Sequence, residues 1–284
     1  MRAKGFNPHL LAMTATPIPR TLALTLYGDL DISTLRELPA GRRPVKTSFV
    51  PSSRRQEAYS FIQRQISAGR QVFIVFPIID ESDALNARAA VKEYERLSET
   101  VFNDPGHSVG LLHGRMSSTA KEKVMREFRD GDVNVLVSTA VVEVGIDVPN
   151  ATVILIEGAE RFGLAQLHQL RGRVGRGEHS SYCLLMSEAS GMDENERLAT
   201  LQTTDDGFVL AERDLELRGP GNVIGTRQSG VHGFTFASVT DLETVKQARR
   251  EAVGLLDDDP DLIQQDHSSL ANAVSTVLAE NEWS

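Results

Sequence analysis

Between residues 44 and 190, unbroken apolar runs alternate with longer stretches of helical periodicity. An apolar run without polar alternation is typical of a strand buried on both faces, which occurs when helices cover both sides of a parallel sheet. The predicted strands are residues 71–76, 109–112, 133–137, 152–156 and 181–186. The predicted helices are residues 54–67, 84–102, 118–129 and 166–171. We therefore expect an α/β domain at residues 44–190, with a parallel sheet and helices on both faces.

The two flanks of this domain have a different pattern. Residues 1–43 hold a short apolar run that predicts a strand, a polar loop at 14–19 and one helix. A single strand and a single helix cannot bury their own apolar faces. We expect residues 1–43 to be the tail of a preceding domain plus a linker, and the chain to be a piece of a longer protein. Residues 191–284 should form a mostly helical C-terminal region, with a helical hairpin and a Gly-rich loop at 218–230. Its predicted helices are residues 193–203, 207–217, 240–256 and 268–280.

Charge is distributed unevenly along the chain. A net charge of -9 and a pI near 5.3 are unusual for a nucleic-acid-binding protein. The segment 36–55 nevertheless holds six basic residues against one acid, and a polarised chain can offer a basic groove while staying acidic overall. A single cysteine, Cys183, favours a reducing compartment, and the absence of a long apolar run argues against a membrane span. We therefore expect a cytoplasmic protein.

The most informative motif is Gln169-Leu-Arg-Gly-Arg-Val-Gly-Arg176. It places Gln169, Arg173 and Arg176 on a helix end and the turn beside it, where guanidinium groups can converge on one polyanion. Such a cluster can stabilise the charge on a transferring phosphoryl group, which is the role of an arginine finger. The alternative for these residues is a solvated basic helix end.

A second stretch, Val137 to Asn150, follows a predicted strand. Ser138 and Thr139 stand at the end of that strand, where hydroxyl and backbone N–H groups can contact the phosphates of a nucleic acid. Gly145 and Asp147 lie in the following turn, where a backbone amide and a carboxylate could meet a nucleotide ribose. Taken alone, this stretch would be an ordinary loop between a strand and a helix.

Two further features remain open at the level of the residues. His113 ends a predicted strand in Leu111-Leu-His-Gly-Arg-Met116, and it is either a structural histidine or a contact to the DNA backbone. Arg218, Arg227 and Gln228 stand in a glycine-rich segment, which combines a mobile backbone with side chains able to donate two hydrogen bonds. The alternative for that segment is a flexible surface loop with incidental charges.

These motifs, in this order, resemble those of superfamily 2 helicases. The Thr14-Ala-Thr16 triplet resembles motif III, the stretches at 113–114 and 139–147 resemble motifs IV–V, and the segment 169–176 resembles motif VI. The stretches at 27–31, 37–42, 214–221 and 225–230 resemble the RecG family, with the related Mfd translocases as the alternative.

The resemblance implies a division of roles among the residues. Two RecA-like domains would enclose ATP and Mg²⁺, and this chain would supply the second domain. Arg173 and Arg176, with Gln169, would act on the phosphates, and Gly145 and Asp147 would help bind the nucleotide. The implied coupling and translocation residues are Thr14, Thr16, Arg197, Arg218 and Gln228, and the implied DNA contacts are His113, Ser138 and Thr139. The partner would be branched double-stranded DNA, bound by a monomer.

Two elements of an ATP-hydrolysing motor are missing from the sequence. No phosphate-binding loop of the form G-x-x-x-x-G-K-[ST] occurs, and no acidic box precedes Thr14. We therefore expect no metal site in this chain, and no ATP hydrolysis by the chain alone. Besides the RecG-type and Mfd-type motors, a non-catalytic DNA-binding remnant remains a possible interpretation.

Overall fold

A computed structural model describes residues 11, 13–14, 33–35, 42–77, 83–139, 147–188, 192–218 and 242–281. The chain divides into two compact units, which are described separately. The first comprises residues 1–17 and 37–210, and the second comprises residues 18–36 and 211–284.

The first unit is built on a six-stranded parallel sheet, so the predicted parallel α/β fold is confirmed. Its strand order is β1-β6-β5-β2-β4-β3. All six carboxyl ends therefore lie along one edge of the sheet and all six amino ends along the other. The strands are β1 (Val45–Pro51), β2 (Gln71–Phe76), β3 (Val109–Leu112), β4 (Val135–Thr139), β5 (Ala151–Ile156) and β6 (Ser181–Ser187).

Helices cover both faces of this sheet. The helices of the first unit are α1 (Arg55–Ser67), α2 (Asp83–Thr100), α3 (Ser118–Asp130), α4 (Leu164–Arg171) and α5 (Met192–Thr203), and α6 (Gly207–Arg218) begins there. Alternate strand residues point to opposite faces. Phe73 of β2 packs in one apolar cluster with Phe128 of α3, and its neighbour Ile74 packs in the other with Leu97 of α2. Burying each such side chain contributes about 1.5–3 kcal/mol, which explains why these strands are apolar on both faces.

Strand β1 was not predicted from the sequence. Its sequence, Val45-Lys-Thr-Ser-Phe-Val-Pro51, alternates partly buried and exposed residues over its first five positions. The reason is that β1 lies at the edge of the sheet, where β6 is its one partner among the described strands. The prediction relied on unbroken apolar runs, and an edge strand with one solvated face does not contain one. The other strands and helices were predicted to within two residues at each end.

Helix α5 packs into the core of the first unit. Leu198 and Leu201 are fully buried in the same apolar cluster as Phe128 and Leu164. The sequence-based domain boundary at residue 190 stays a prediction, but the helix that follows it contributes to the core of the α/β unit.

The second unit contains the remainder of α6 and the helices α7 (Leu242–Asp258) and α8 (Ser268–Asn281). The carboxylate of Asp259 organises the turn between the last two helices. It accepts hydrogen bonds from the backbone N–H groups of Ile263 and Gln264, both at 3.0 Å, and lies 2.8 Å from Nδ1 of His267. The glycine-rich stretch at 219–230 lies outside the described residues. Within the described part of the chain, no helix is both long and apolar enough to cross a membrane.

Candidate functional site

The arginine motif forms the end of α4 and the turn that leads to β6. Leu164, Leu167 and Leu170 of α4 are fully buried, so the helix is fixed to the sheet by one apolar face. The helix ends at Arg171, and β6 begins ten residues later, at Ser181. The residues between them, 172–180, contain what we call the arginine turn, residues 172–177. It lies at the amino edge of the sheet.

Within this turn, Arg176 contacts residues from two different motifs. Its Nε donates to the carbonyl oxygen of Gly172 at 3.3 Å. Its Nη1 lies 3.4 Å from Oδ1 of Asp147, which precedes β5 at the same edge of the sheet. The fold therefore brings together Arg176 and Asp147, two residues that the sequence indicated separately as nucleotide-binding.

Two glycines allow the backbone to approach closely around this ion pair. Gly175 has a φ of +81°, and a Cβ atom there would lie 2.9 Å from Cγ2 of Val45. A Cβ atom at Gly177 would overlap the carbonyl oxygen of Pro149. The arginine turn thus packs backbone against backbone on the segment that carries Asp147, and larger residues at these positions would separate the two.

Arg42 is a member of this cluster that the sequence did not single out. Its Nη2 donates to the carbonyl oxygen of Gly172 at 3.0 Å, across 130 residues of sequence. Burial lowers the pKa of Arg42, and the nearby charge of Arg176 lowers it further. In the sequence, Arg42 was visible as one of several basic residues in the segment 36–55 and as the last residue of the RecG-like stretch 37–42, but no role at the site was predicted for it.

Arg171 belongs to the same motif, but its side chain is buried and its contacts hold two helices together. It is 3% exposed, and its Nη1 donates to the carbonyl oxygens of Leu201 at 2.7 Å and Thr204 at 3.1 Å. The same nitrogen lies 3.2 Å from Oδ1 of Asp205. Burial lowers the pKa of Arg171, and Asp205 opposes that effect. These contacts tie the end of α4 to the end of α5.

His168 completes the environment of Arg171. Its Nδ1 lies 3.0 Å from Nη2 of Arg171, which can only donate. Burial, reinforced by the charge of Arg171, lowers the pKa of His168 to about 4. His168 is therefore neutral at pH 7, with Nδ1 as acceptor and the proton on Nε2.

A basic surface groove lies at the opposite, carboxyl edge of the sheet. His113 and Arg115 line it from the loop after β3, and Arg88 and Lys92 line it from α2. The groove has a volume of about 490 Å³, and Glu95 is the one acidic residue among the described residues that line it. The sequence predicted His113 as a candidate nucleic-acid contact, but it did not indicate the two basic residues of α2.

Two hydrogen bonds fix the position of the loop that carries His113. The side chain of Ser117 accepts a hydrogen bond from Ala120 N at 3.2 Å and so caps α3, and Nζ of Lys121 donates to the carbonyl oxygen of Gly114 at 2.6 Å. Burial lowers the pKa of His113, with Lys121 and Arg115 adding to the effect. Its Nδ1 is buried and has no hydrogen-bond partner among the described residues.

Ser138 and Thr139 end β4 at this same edge. Their residues are 0% and 4% exposed, so a nucleic acid reaches them only if the covering residues move. The Ser138 hydroxyl is buried without a hydrogen-bond partner among the described residues, which is uncommon in folded proteins. A phosphate oxygen would supply such a partner, and the contact stays a prediction.

The remaining predicted site residues are placed as follows. Gln169 on α4 and Arg173 in the arginine turn are half-buried, and Thr14 is exposed. Arg197 on α5 is half-buried, and its Nη2 donates to the carbonyl oxygen of Glu160. Arg218 is the last residue of α6, and its side chain is outside the described part of the structure. Thr16, Gly145 and Gln228 lie outside the described residues.

The sheet that carries the arginine turn and the basic groove belongs to the class of helicase C-terminal domains. The helicase conserved C-terminal domain family matches residues 55–178. The family described as ATP-dependent DNA helicase RecG, domain 3, C-terminal, matches residues 204–282. The chain belongs to the RecG family.

Individual relatives agree with this assignment. The ATP-dependent DNA helicase RecG of Synechocystis sp. is 53% identical over 261 residues, covering 92% of this chain and 31% of the relative. That of Thermotoga maritima is 50% identical over 249 residues, covering 87% of this chain and 32% of the relative. A solved structure of RecG bound to a three-way DNA junction is 48% identical, with a TM-score of 0.64, and covers 82% of this chain and 30% of that one.

The assignment settles two points raised by the sequence. The prediction of the RecG family is confirmed, and the Mfd alternative is not needed, because the RecG-specific domain matches the helical region after the sheet. The RecA-like interpretation of the sheet agrees with the likeness to the solved RecG structure. The chain spans about a third of the length of the relatives compared.

Proposed function

We propose that this chain supplies the arginine fingers and part of the DNA-binding surface of an ATP-dependent helicase that remodels branched DNA. The observation that carries the proposal is the convergence of Arg176, Asp147 and Arg42 at the amino edge of the sheet. Convergent guanidinium groups beside a carboxylate suit a nucleotide, whose phosphates take the positive charge and whose ribose hydroxyls can donate to the carboxylate.

The chemistry of this half-site is charge stabilisation. ATP, when bound, supplies the phosphoryl group whose transfer to water drives movement. Arg173 and Arg176 stabilise the negative charge that develops during that transfer. Arg176 is already held near its working position by Gly172 and Asp147, so little reorganisation is required. In this proposal Gln169 supports the turn, and Gly145 assists Asp147 with the nucleotide.

The described residues offer no cluster of side chains typical of a metal site. Among them, no group of three or more histidine, cysteine, aspartate or glutamate side chains could hold a metal ion. The sequence also has no phosphate-binding loop. In this proposal both are supplied by a first motor domain, and Thr14, Thr16, Arg197, Arg218 and Gln228 couple hydrolysis to movement along DNA.

A chimera tests the proposed function. The chain replaces the matching third of the Synechocystis relative, to which it is 53% identical. We expect DNA-stimulated ATP turnover and unwinding of a synthetic three-way junction by the chimera, and no turnover by the chain alone. A chimera that binds DNA without turnover would indicate the non-catalytic remnant. Turnover by the isolated chain would contradict the division of the active site between two domains.

The basic groove is the proposed track for the DNA backbone. Removing the charges of Lys92 and Arg115 together should weaken binding of the chain to branched DNA and lower the slope of log K against log salt by about 2, one per lost phosphate contact. Fluorescence anisotropy at several salt concentrations measures both.

The matched control for the groove is Lys123→Ala. Lys123 is exposed on α3 and pairs with Glu127 rather than lining the groove. Its removal should leave the salt slope nearly unchanged. An equal effect of Lys123→Ala would show that the DNA responds to the total charge of the domain and not to this groove.

A further inference from the structure

One carbonyl oxygen in the arginine turn accepts hydrogen bonds from two arginine side chains. The oxygen of Gly172 lies 3.0 Å from Nη2 of Arg42 and 3.3 Å from Nε of Arg176. A carbonyl has two lone pairs, so both bonds can form, but they place two positive guanidinium groups side by side. Arg42 makes the shorter bond and is the more deeply buried of the two.

The segment that carries Arg42 lies alongside the arginine turn over several residues. Val45 pairs with Ser181 in the register of β1 and β6, four residues after the turn. A Cβ atom at Gly175 would lie 3.2 Å from the carbonyl oxygen of Arg43 and 2.9 Å from Val45. The residues 42–45 therefore contact both the start and the end of the turn, and they define where its backbone lies.

The charges around the turn are only partly balanced. Asp147 lies beside Arg176, and Asp205 lies beside Arg171. Arg42 has neither an ion pair nor a hydrogen bond to a carboxylate among the described residues. Burial and then the repulsion from Arg176 lower the pKa of Arg42, and the more distant charge of Asp205 opposes them only in part. An anion bound at the turn would relieve that repulsion, because it would add negative charge between two positive groups.

We propose that Arg42 is a positioning residue for Arg176. By making the shorter bond to the Gly172 carbonyl and repelling the Arg176 guanidinium, Arg42 weakens the 3.3 Å bond between Arg176 and that carbonyl, which leaves the guanidinium available to the phosphates of the nucleotide. This inference rests on the proposed function of the arginine turn. It adds a residue from the segment before β1 to a site otherwise formed by the segments that precede β5 and β6.

The test measures binding of inorganic tripolyphosphate to the full chain at low ionic strength by isothermal titration calorimetry. Arg42→Met removes both the charge and the hydrogen bond, and should raise Kd about five- to tenfold. Arg42→Lys keeps the charge and a donor, and should stay within about threefold of the unchanged chain. Arg42→Gln keeps a donor but not the charge, and should resemble Arg42→Met.

Salt separates the electrostatic effect from a structural one. The difference between Arg42→Lys and Arg42→Gln should disappear near 1 M salt, where the screening length falls to about 3 Å. A purely structural role for Arg42 would leave that difference unchanged. The melting temperatures of all variants show whether they are folded. If Arg42→Met is unfolded, the comparison of Arg42→Lys with Arg42→Gln tests the proposal.

Two further variants distinguish failure of this inference from failure of the proposed function. Arg161→Met is the control, because Arg161 is 54% exposed and lies after β5, at the other edge of the sheet. If Arg176→Met weakens binding but Arg42→Met and Arg42→Gln do not, the role of Arg42 is overturned and the proposed function stands. If Arg176→Met has no effect, or the unchanged chain does not bind tripolyphosphate, both proposals fail.

Discussion

Replacing Arg176 with alanine should lower ATP turnover by the chimeric helicase by about a thousandfold or more, the usual range for an arginine finger. The change removes a guanidinium that acts on charge developing during phosphoryl transfer, so the loss should appear in kcat. Affinity for branched DNA should change by less than about twofold, because the groove with Lys92 and Arg115 lies at the other edge of the sheet.

Two further variants are compared with Arg176→Ala in the same turnover measurement. Arg161→Ala removes an exposed arginine outside the turn and should leave turnover unchanged. Arg176→Lys keeps a positive charge but loses the planar donor set, and should recover only part of the turnover. If Arg176→Ala lost DNA affinity in proportion to turnover, Arg176 would be a DNA-binding or folding residue and not a finger.

Replacing Arg171 with methionine should lower the free energy of unfolding of the chain by about 2–3 kcal/mol, mainly because buried polar groups lose their partner. The ion pair adds little, because its partner Asp205 is 55% exposed. Methionine retains much of the volume but leaves the carbonyl oxygens of Leu201 and Thr204 without their donor. A buried carbonyl that loses its partner costs about 1–3 kcal/mol. Urea denaturation followed by circular dichroism measures the change.

The matched control is Arg161→Met, which should change the free energy of unfolding by less than about 0.5 kcal/mol, as is usual at the surface. A similarly small effect of Arg171→Met would show that the end of α4 is held by its leucines alone. Arg171 and Arg176 would then differ only in their effects on catalysis. We expect instead that Arg171 acts on stability and Arg176 on turnover.

The buried part of the fold was predictable because it has a simple physical cause. A central strand such as β2 is apolar from Val72 to Phe76, since helices cover both faces of the sheet. Edge strand β1 has one partly solvated face, and its pattern in the sequence resembles that of a polar linker. Helix ends were predictable to about two residues where a cap or a glycine marks them, as Gly131 does after α3.

The site was predictable only as separate pieces. The sequence indicated Arg176 and Asp147 as nucleotide-binding residues from their motifs, but their ion pair depends on the approach of Gly177 to Pro149 in the folded chain. Arg42 could not be recognised because its role depends on the pairing of β1 with β6, and β1 itself was not predicted. Arg88 and Lys92 of α2 could not be recognised either, because helical periodicity does not show which loop lies beside a helix.

The position of the two sites at opposite edges of one sheet has a mechanical consequence. A central strand such as β2 has six residues, so the edges are separated by roughly 20 Å of close-packed backbone that deforms very little. Thr139 at one edge and Asp147 at the other are only eight residues apart in sequence. The domain is therefore suited to act as a rigid spacer, in which a displacement imposed at the proposed nucleotide-binding edge would move the proposed DNA-binding edge by a similar amount.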